Sequence, residues 1–143
     1  MLLLMALFAG VLIALQAAIN SQLGVMLKNS LMATVVAFAL SVLVSGIALI
    51  GFNSQWPNWS DIRAVPWYLW LGGVMSATGV GLFYFLIPKM GVGAMMSYAL
   101  TGQLVLAVVA SHFGWFGLPQ APLNQIKITG LCAMIVGLVL LNG

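Results

Sequence analysis

Residues 1–27, MLLLMALFAGVLIALQAAINSQLGVML, form one uncharged and mostly apolar block. A helix needs about 20 apolar residues to cross a bilayer, and this block is longer than that. Four more uncharged blocks follow, because the 143-residue chain has only five charged side chains: Lys28, Asp61, Arg63, Lys89 and Lys127. Charged residues make up 3% of the chain, whereas a soluble domain has about 25%. The composition therefore predicts an integral membrane protein.

The uncharged blocks predict an all-α protein with five transmembrane helices, near residues 2–22, 31–52, 67–87, 92–113 and 125–142. The intervening segments contain Pro and Gly, and an aromatic belt at the span ends is predicted from Trp56, Trp59, Trp67 and Trp70. The first span lacks a basic leading region and exceeds the length of a signal-peptide core, so we interpret it as a helix of the protein. No long polar insertion interrupts the chain, and we expect a single five-helix domain over residues 1–143.

The scarcity of reactive side chains excludes several classes of protein. With no Glu and one each of Asp, His and Cys, one chain cannot supply a paired-carboxylate site, a closed zinc site or an internal disulfide. We therefore expect no metal, no cofactor and no enzymatic activity. Four scattered basic residues form no stripe for a phosphate backbone, so nucleic acid is not an expected partner.

The basic residues do not predict an orientation in the membrane. Five spans place Arg63 and Lys127 on one face and Lys28 and Lys89 on the other, a balance of two against two. Either this balance is small-number noise, or the chain inserts both ways and pairs with an inverted copy of itself. The second interpretation predicts an antiparallel homodimer of ten helices, which reproduces the inverted-repeat design of many transporters.

Polar side chains in the first two spans are candidates for a substrate pathway. Gln16 and Asn20 are four residues apart and share one helical face. Because amides in hydrocarbon need partners, this face is either a helix-to-helix contact or a polar patch on a substrate path. Ser41 belongs to a stripe with Thr34 and Ser45, for which packing and bonds to carbonyls of the same helix are the favoured interpretation.

The third and fourth spans add further candidates. Ser76 lies on a face of small residues that predicts a close helix contact, and Tyr84 is either an interface anchor or a cavity residue. The fourth span is the most polar, with four candidates near the membrane middle: Ser97, Tyr98, Thr101 and Gln103. No carboxylate lies within any span, so proton coupling would need His112, a partner chain, or would be absent. A lone His near an interface is more often solvated or paired with a carbonyl.

Five segments of the chain resemble a known family: LQAAINSQLG (15–24), LGGVMSATGVG (71–81), PKMGVGAMMSYALTGQL (88–104), HFGWFGLP (112–119) and GLCAMIVGLVLLN (130–142). They are similar to the YdcZ-type inner-membrane exporters of the drug/metabolite transporter superfamily. The resemblance implies a bacterial inner-membrane location, export of a small molecule, and five-helix units that pair. It also implies functional roles for Gln16, Asn20 and Gln103. Such sequences often have an acid just before the HFG-like segment, where this chain has Ser111.

Two functional hypotheses follow from these observations. The favoured one is a small-molecule exporter that works by alternating access at the interface of an antiparallel homodimer, with membrane lipid and the substrate as its other partners. The alternative is a subunit with no pathway of its own, serving assembly or regulation or forming half of a heterodimeric transporter. Its polar faces would be consumed entirely by helix contacts. An intramembrane enzyme is a remote third hypothesis because the acids are missing.

Overall fold

The computed structural model describes residues 1–52, 56–117 and 119–143, and its regular elements are helical. The α-helices are α1 (Leu2–Met26), α2 (Ser30–Gly51), α3 (Trp59–Ala64), α4 (Gly72–Met90), α5 (Val92–Phe113) and α6 (Gln125–Asn142). Short 3₁₀ turns occupy Trp67–Leu71 and Trp115–Gly117. No strand occurs within the described ranges.

Five helical stretches are long and apolar enough to cross a membrane: Leu2–Met26, Ser30–Gly51, Trp67–Met90, Val92–Phe113 and Gln125–Asn142. The prediction of an all-helical protein with five spans is therefore confirmed. The first span continues to Met26, four residues beyond its predicted end, and the third continues through Pro88 to Met90. The predicted break at residues 88–91 is thus confined to Gly91, whose φ of +86° is a conformation that favours glycine.

The chain separates into two compact units, which are Met1–Lys89 with α1 to α4 and Met90–Gly143 with α5 and α6. In the first unit, small buried residues let the end of α1 approach the start of α2. A Cβ atom on Gly24 would lie 3.3 Å from Ser30 Cα and 3.4 Å from Ala33 Cβ. Close backbone approach at small residues is the usual way in which membrane helices associate. Helix α4 also approaches α2, because a Cβ atom on Gly81 would lie 3.5 Å from Thr34 Oγ1.

The turn between α1 and α2 is fixed by its own backbone and side chains. Lys28 adopts the left-handed conformation with φ +52°, and Asn29 caps α2. The Asn29 Oδ1 atom accepts hydrogen bonds from the N–H groups of Leu31 at 3.0 Å and Met32 at 3.1 Å. This side chain therefore satisfies two of the donors that every helix N-terminus leaves without a partner inside the helix.

The segment between the second and third spans was expected to be a loop and contains the short helix α3. The Asp61 carboxylate accepts the Asn58 N–H at 3.1 Å, and the Arg63 guanidinium lies 5.4 Å from the centre of the Trp59 ring. An acid in the first turn and an N-terminal Asn favour a helix start, which accounts for α3. The four tryptophans of the predicted belt are all exposed.

In the second unit the segment after α5 folds back onto the end of that helix. Gly114 ends α5 with φ +62°, and the Ala121 N–H then bonds to the Ser111 carbonyl at 2.9 Å. The Lys127 Nζ atom donates to the Ala121 carbonyl at 3.0 Å and to the Pro122 carbonyl at 2.8 Å. The ammonium thereby holds the connecting segment against the first turn of α6.

Candidate functional site

A cluster of three polar side chains lies between α1 and α4 in the first unit. Asn20 Nδ2 donates to the Tyr84 hydroxyl at 2.9 Å and to Gln16 Oε1 at 3.3 Å. The Tyr84 hydroxyl in turn donates to Gln16 Oε1 at 3.4 Å. Tyr84 is only 1% exposed, whereas Gln16 is exposed and Asn20 is half-buried. The predicted polar face of α1 therefore contacts α4 through one buried phenol.

The cluster leaves hydrogen-bonding capacity unused. A Gln or Asn amide offers two donors and one acceptor oxygen. In this arrangement the Gln16 Nε2 donors and the Asn20 Oδ1 acceptor have no partner among the described residues of their unit. Amides in hydrocarbon gain free energy by finding partners, so these two groups favour binding of water, another helix or a ligand. Together they leave amide donors and one amide acceptor on neighbouring turns of α1.

A groove of about 180 Å³ adjoins this cluster and contains four of the predicted pathway residues. Gln16, Ser41, Ser76 and Tyr84 all line it, with Phe38 supplying an aromatic wall. Helices α1, α2 and α4 each contribute, which no single-helix pattern could have shown. A second groove of about 460 Å³ lies between α1 and α2 and includes Gln16, Asn20, Ser41 and Ser45.

The hydroxyls of these grooves differ in how they are bonded. Ser41 donates to the Ala37 carbonyl at 2.8 Å, and Ser45 donates to the Ser41 carbonyl at 2.6 Å. Such bonds to the preceding turn satisfy a hydroxyl within its own helix. The Ser76 hydroxyl has no partner among the described residues of its unit. No charged side chain lines either groove, so the grooves offer only neutral hydrogen-bonding groups and apolar walls.

The predicted residues of α5 belong to the second unit and divide between two environments. The Ser97 and Thr101 hydroxyls donate to the carbonyls of Ala94 at 2.9 Å and Ser97 at 2.8 Å, and both side chains are half-buried. Tyr98 is 51% exposed, and Gln103 is exposed as well. Neither Tyr98 nor Gln103 has a hydrogen-bond partner among the described residues of its unit.

Sequence reasoning did not single out Asn142, which the fold brings to α5. The Asn142 Nδ2 atom donates to Ser97 Oγ at 2.9 Å and to the Leu138 carbonyl at 2.8 Å. The bond ties the last turn of α6 to the first half of α5. The two residues are 45 positions apart, so the pairing leaves no local signal in the sequence.

His112, the predicted candidate for a proton site, is half-buried at the end of α5. Its Nδ1 atom accepts a hydrogen bond from the Leu123 N–H at 3.1 Å, and its ring packs edge-on against Phe113 with centroids 4.8 Å apart. An acceptor Nδ1 carries no proton, so in this arrangement the ring helps to hold the segment that follows α5.

Comparison with known proteins identifies the family. A family model described as "Putative inner membrane exporter, YdcZ" matches residues 1–140, nearly the whole chain. The chain belongs to the YdcZ family. The family assignment suggested by the five sequence segments is therefore confirmed. No curated protein and no solved structure gives a significant match.

Membership in the YdcZ family agrees with the five apolar helices and makes this chain a multi-pass membrane protein of an exporter family. The family description names a transporter, which is not an enzyme class. Ser111 is half-buried, and its carbonyl accepts the Ala121 N–H described above. That position thus contributes a backbone contact to the segment that follows α5.

Proposed function

We propose that this protein exports a small, uncharged polar or amphipathic molecule across the bacterial inner membrane by alternating access in an antiparallel homodimer. Each chain contributes one set of five helices, and the substrate crosses through grooves lined by the predicted pathway residues. Membership in an exporter family supports transport as the general activity. The substrate class, the mechanism and the pairing are parts of the proposal.

The single observation that carries the substrate class is the Gln16–Asn20–Tyr84 cluster beside an uncharged groove. The cluster offers the Gln16 Nε2 donor and the Asn20 Oδ1 acceptor next to the buried Tyr84 phenol. A ligand with one acceptor and one donor would satisfy both amides at once. An ionic ligand would lose its hydration without gaining a counter-charge, which is strongly unfavourable in a low-dielectric site.

The pairing is supported by the polar groups that remain exposed on the second unit. Gln103 lies midway along α5, is exposed and has no hydrogen-bond partner in the described part of its unit. A primary amide in the middle of a span faces protein or a water-filled path far more often than lipid. In an inverted dimer, Gln103 and Tyr98 would face the partner chain or the pathway. The balance of two basic residues on each face agrees with insertion in both orientations.

Flux through liposomes reconstituted with the full chain tests the proposed activity. A panel of uncharged, cationic and anionic small molecules is compared, and we expect flux of uncharged molecules that carry both a donor and an acceptor. Gln16→Leu and Asn20→Leu should each reduce flux. Thr129→Val should not, because the Thr129 hydroxyl bonds only to the Gln125 carbonyl of its own helix. If no compound in the panel showed flux and none stabilised the protein against heat, the proposed transport would be refuted.

The pairing needs a separate measurement. Reporter fusions at the C-terminus should give comparable signals from both sides of the membrane, and cross-links should join inverted protomers. One uniform orientation with parallel cross-links would exclude the antiparallel dimer while leaving the flux result intact.

A further inference from the structure

A groove of about 410 Å³ lies at one end of the first unit, and Tyr84 lines both this groove and the smaller groove beside Gln16. It forms where α1 ends, α2 begins and α4 ends, and its walls include Val25, Lys28, Leu31, Phe85 and Pro88. The polar residues Asn29 and Ser30 line it as well, but most of its exposed surface is apolar. The groove therefore combines a hydrocarbon-like wall with the cationic turn that connects α1 and α2.

Two ammonium groups are found at this groove without a carboxylate. Lys28 lines it directly, and its side chain is exposed and has no partner among the described residues of its unit. Lys89 Nζ lies 3.3 Å from the centre of the Phe85 ring, which is itself part of the wall. A cation over an aromatic face is attracted to the ring but keeps its full charge.

The single acidic side chain of the protein is at the opposite end of the unit. Asp61 belongs to α3, which follows the far end of α2, and its carboxylate accepts the Asn58 N–H. Helix α2 has 22 residues and is therefore about 33 Å long, so Asp61 is no counter-ion for Lys28. The groove thus has Lys28 in its wall and Lys89 beside it, with no carboxylate among the described residues that line it.

The N-terminus of α2 does not account for the site by itself. The Asn29 side chain already accepts the N–H groups of Leu31 and Met32, so these two donors are used internally. The features that remain available to a ligand are the two ammonium groups and the apolar wall. Their combination at the end of membrane-spanning helices matches an amphiphile that has an anionic headgroup and a hydrocarbon tail. Basic pockets between transmembrane helices bind the headgroups of acidic lipids in this way.

We propose that this groove binds one anionic phospholipid, whose phosphate lies between Lys28 and Lys89 and whose acyl chain follows Leu31 and Phe85. A soluble anion would use the ammonium groups but would gain nothing from the apolar wall. The proposal does not rest on transport, because Lys28 and Lys89 line neither of the two grooves beside Gln16, although Tyr84 borders both this groove and the smaller of those two.

Native mass spectrometry of the full chain in micelles tests the site. The micelles are doped with phosphatidylglycerol or with phosphatidylcholine of identical acyl chains. We expect one phosphatidylglycerol molecule to be retained in preference to phosphatidylcholine. Because a basic residue near an anionic lipid contributes about a fivefold change in affinity, Lys28→Gln and Lys89→Gln should each weaken retention about fivefold and the double variant about 25-fold.

Two controls separate charge from folding. Arg63→Gln removes the same charge at the other end of the unit and should leave retention unchanged, whereas Lys28→Arg with Lys89→Arg keeps the charge and should retain the lipid. Equal retention of both lipids, or a loss in Arg63→Gln as large as in the double Gln variant, would overturn the proposal. Displacement of the lipid by millimolar inorganic phosphate would also overturn it and would indicate a site for free anions.

Discussion

Replacing Tyr84 with Phe tests whether the polar cluster holds α1 against α4. The change removes one hydroxyl and leaves the ring, which is buried to 1% exposure, in place. It deletes the bond from Asn20 Nδ2 at 2.9 Å and the longer bond to Gln16 Oε1 at 3.4 Å. Asn20 keeps its bond to Gln16 at 3.3 Å, so the donor is not left wholly without a partner.

The expected loss of stability is modest. Side-chain hydrogen bonds between membrane helices contribute about 0.6 kcal/mol on average and about 1.7 kcal/mol at most. One short bond and one long bond therefore predict a decrease of about 1 kcal/mol in the free energy of unfolding for Tyr84→Phe. Full desolvation of an unpaired donor would cost about 1–3 kcal/mol, but the remaining contact between the two amides prevents that larger loss.

Reversible unfolding of the full chain in bicelles measures this change, and a double-mutant cycle isolates the bond. Tyr84→Phe and Asn20→Ala should show a coupling energy of about 0.6–1.7 kcal/mol, because the two groups are in direct contact. Tyr98→Phe is the matched control, since the Tyr98 hydroxyl has no partner among the residues described for its unit and its side chain is 51% exposed. If Tyr84→Phe and Tyr98→Phe changed stability equally, or the coupling energy were zero, the cluster would not be a stabilising contact.

Three further substitutions test the packing and the helix ends. Gly24→Ala should destabilise the protein by about 1–3 kcal/mol, because its Cβ would come within 3.3 Å of the α2 backbone. The control is Gly46→Ala, where a Cβ atom would meet nothing within 4 Å, and it should be neutral or stabilising in the same unfolding assay. Gly114→Ala should cost about 1–2 kcal/mol in thermal unfolding because φ is +62° there, and an unchanged transition would contradict the left-handed end of α5. His112→Phe removes the acceptor for the Leu123 N–H. Because such a bond contributes about 1 kcal/mol, hydrogen exchange at the Leu123 amide should become about fivefold faster. An unchanged exchange rate would show that the bond does not protect this amide.

The sequence was sufficient for features that depend on composition and on spacing within one helix. Five charges in 143 residues predicted the five spans, and the separation of Gln16 and Asn20 by four residues predicted their shared face. Periodicity alone could not show what that face contacts. Tyr84 is 64 positions from Asn20, and the register between α1 and α4 depends on how small residues let both helices approach α2. For the same reason, periodicity did not predict the bond between Asn142 and Ser97, which are 45 positions apart.

A local signal was overlooked in the segment between the second and third spans. Asn58 and Asp61 have the three-residue spacing of a helix start, and the structure forms α3 there. The two prolines and three tryptophans of the segment favoured a loop and an interfacial belt. The tryptophans are exposed, and the short helix α3 contains both Asp61 and Arg63.

Hydroxyls and amides differ in whether they can be fully hydrogen-bonded within their own helix. This difference indicates which side chains need a partner outside it. A Ser or Thr hydroxyl can donate to a carbonyl in the preceding turn, as Thr34, Ser41 and Thr101 do, and is then satisfied without leaving its helix. A Gln amide in mid-span has donors and an acceptor to satisfy together. Gln16 is only partly satisfied by Asn20 and Tyr84, and Gln103 has no partner where its unit is described.

The two amides at Gln16 and Gln103 therefore mark the positions where the membrane-spanning helices still require a hydrogen-bonding neighbour. Gln22, also without a partner among the described residues of the first unit, is one turn from the end of α1, where its amide can reach water. Gln16 and Gln103 lie in the middle of their helices and have no such route. In hydrocarbon each would remain unsatisfied, at a cost larger than the average interhelical hydrogen bond contributes. The free energy of satisfying these two side chains favours a state in which a second chain or a polar substrate reaches them.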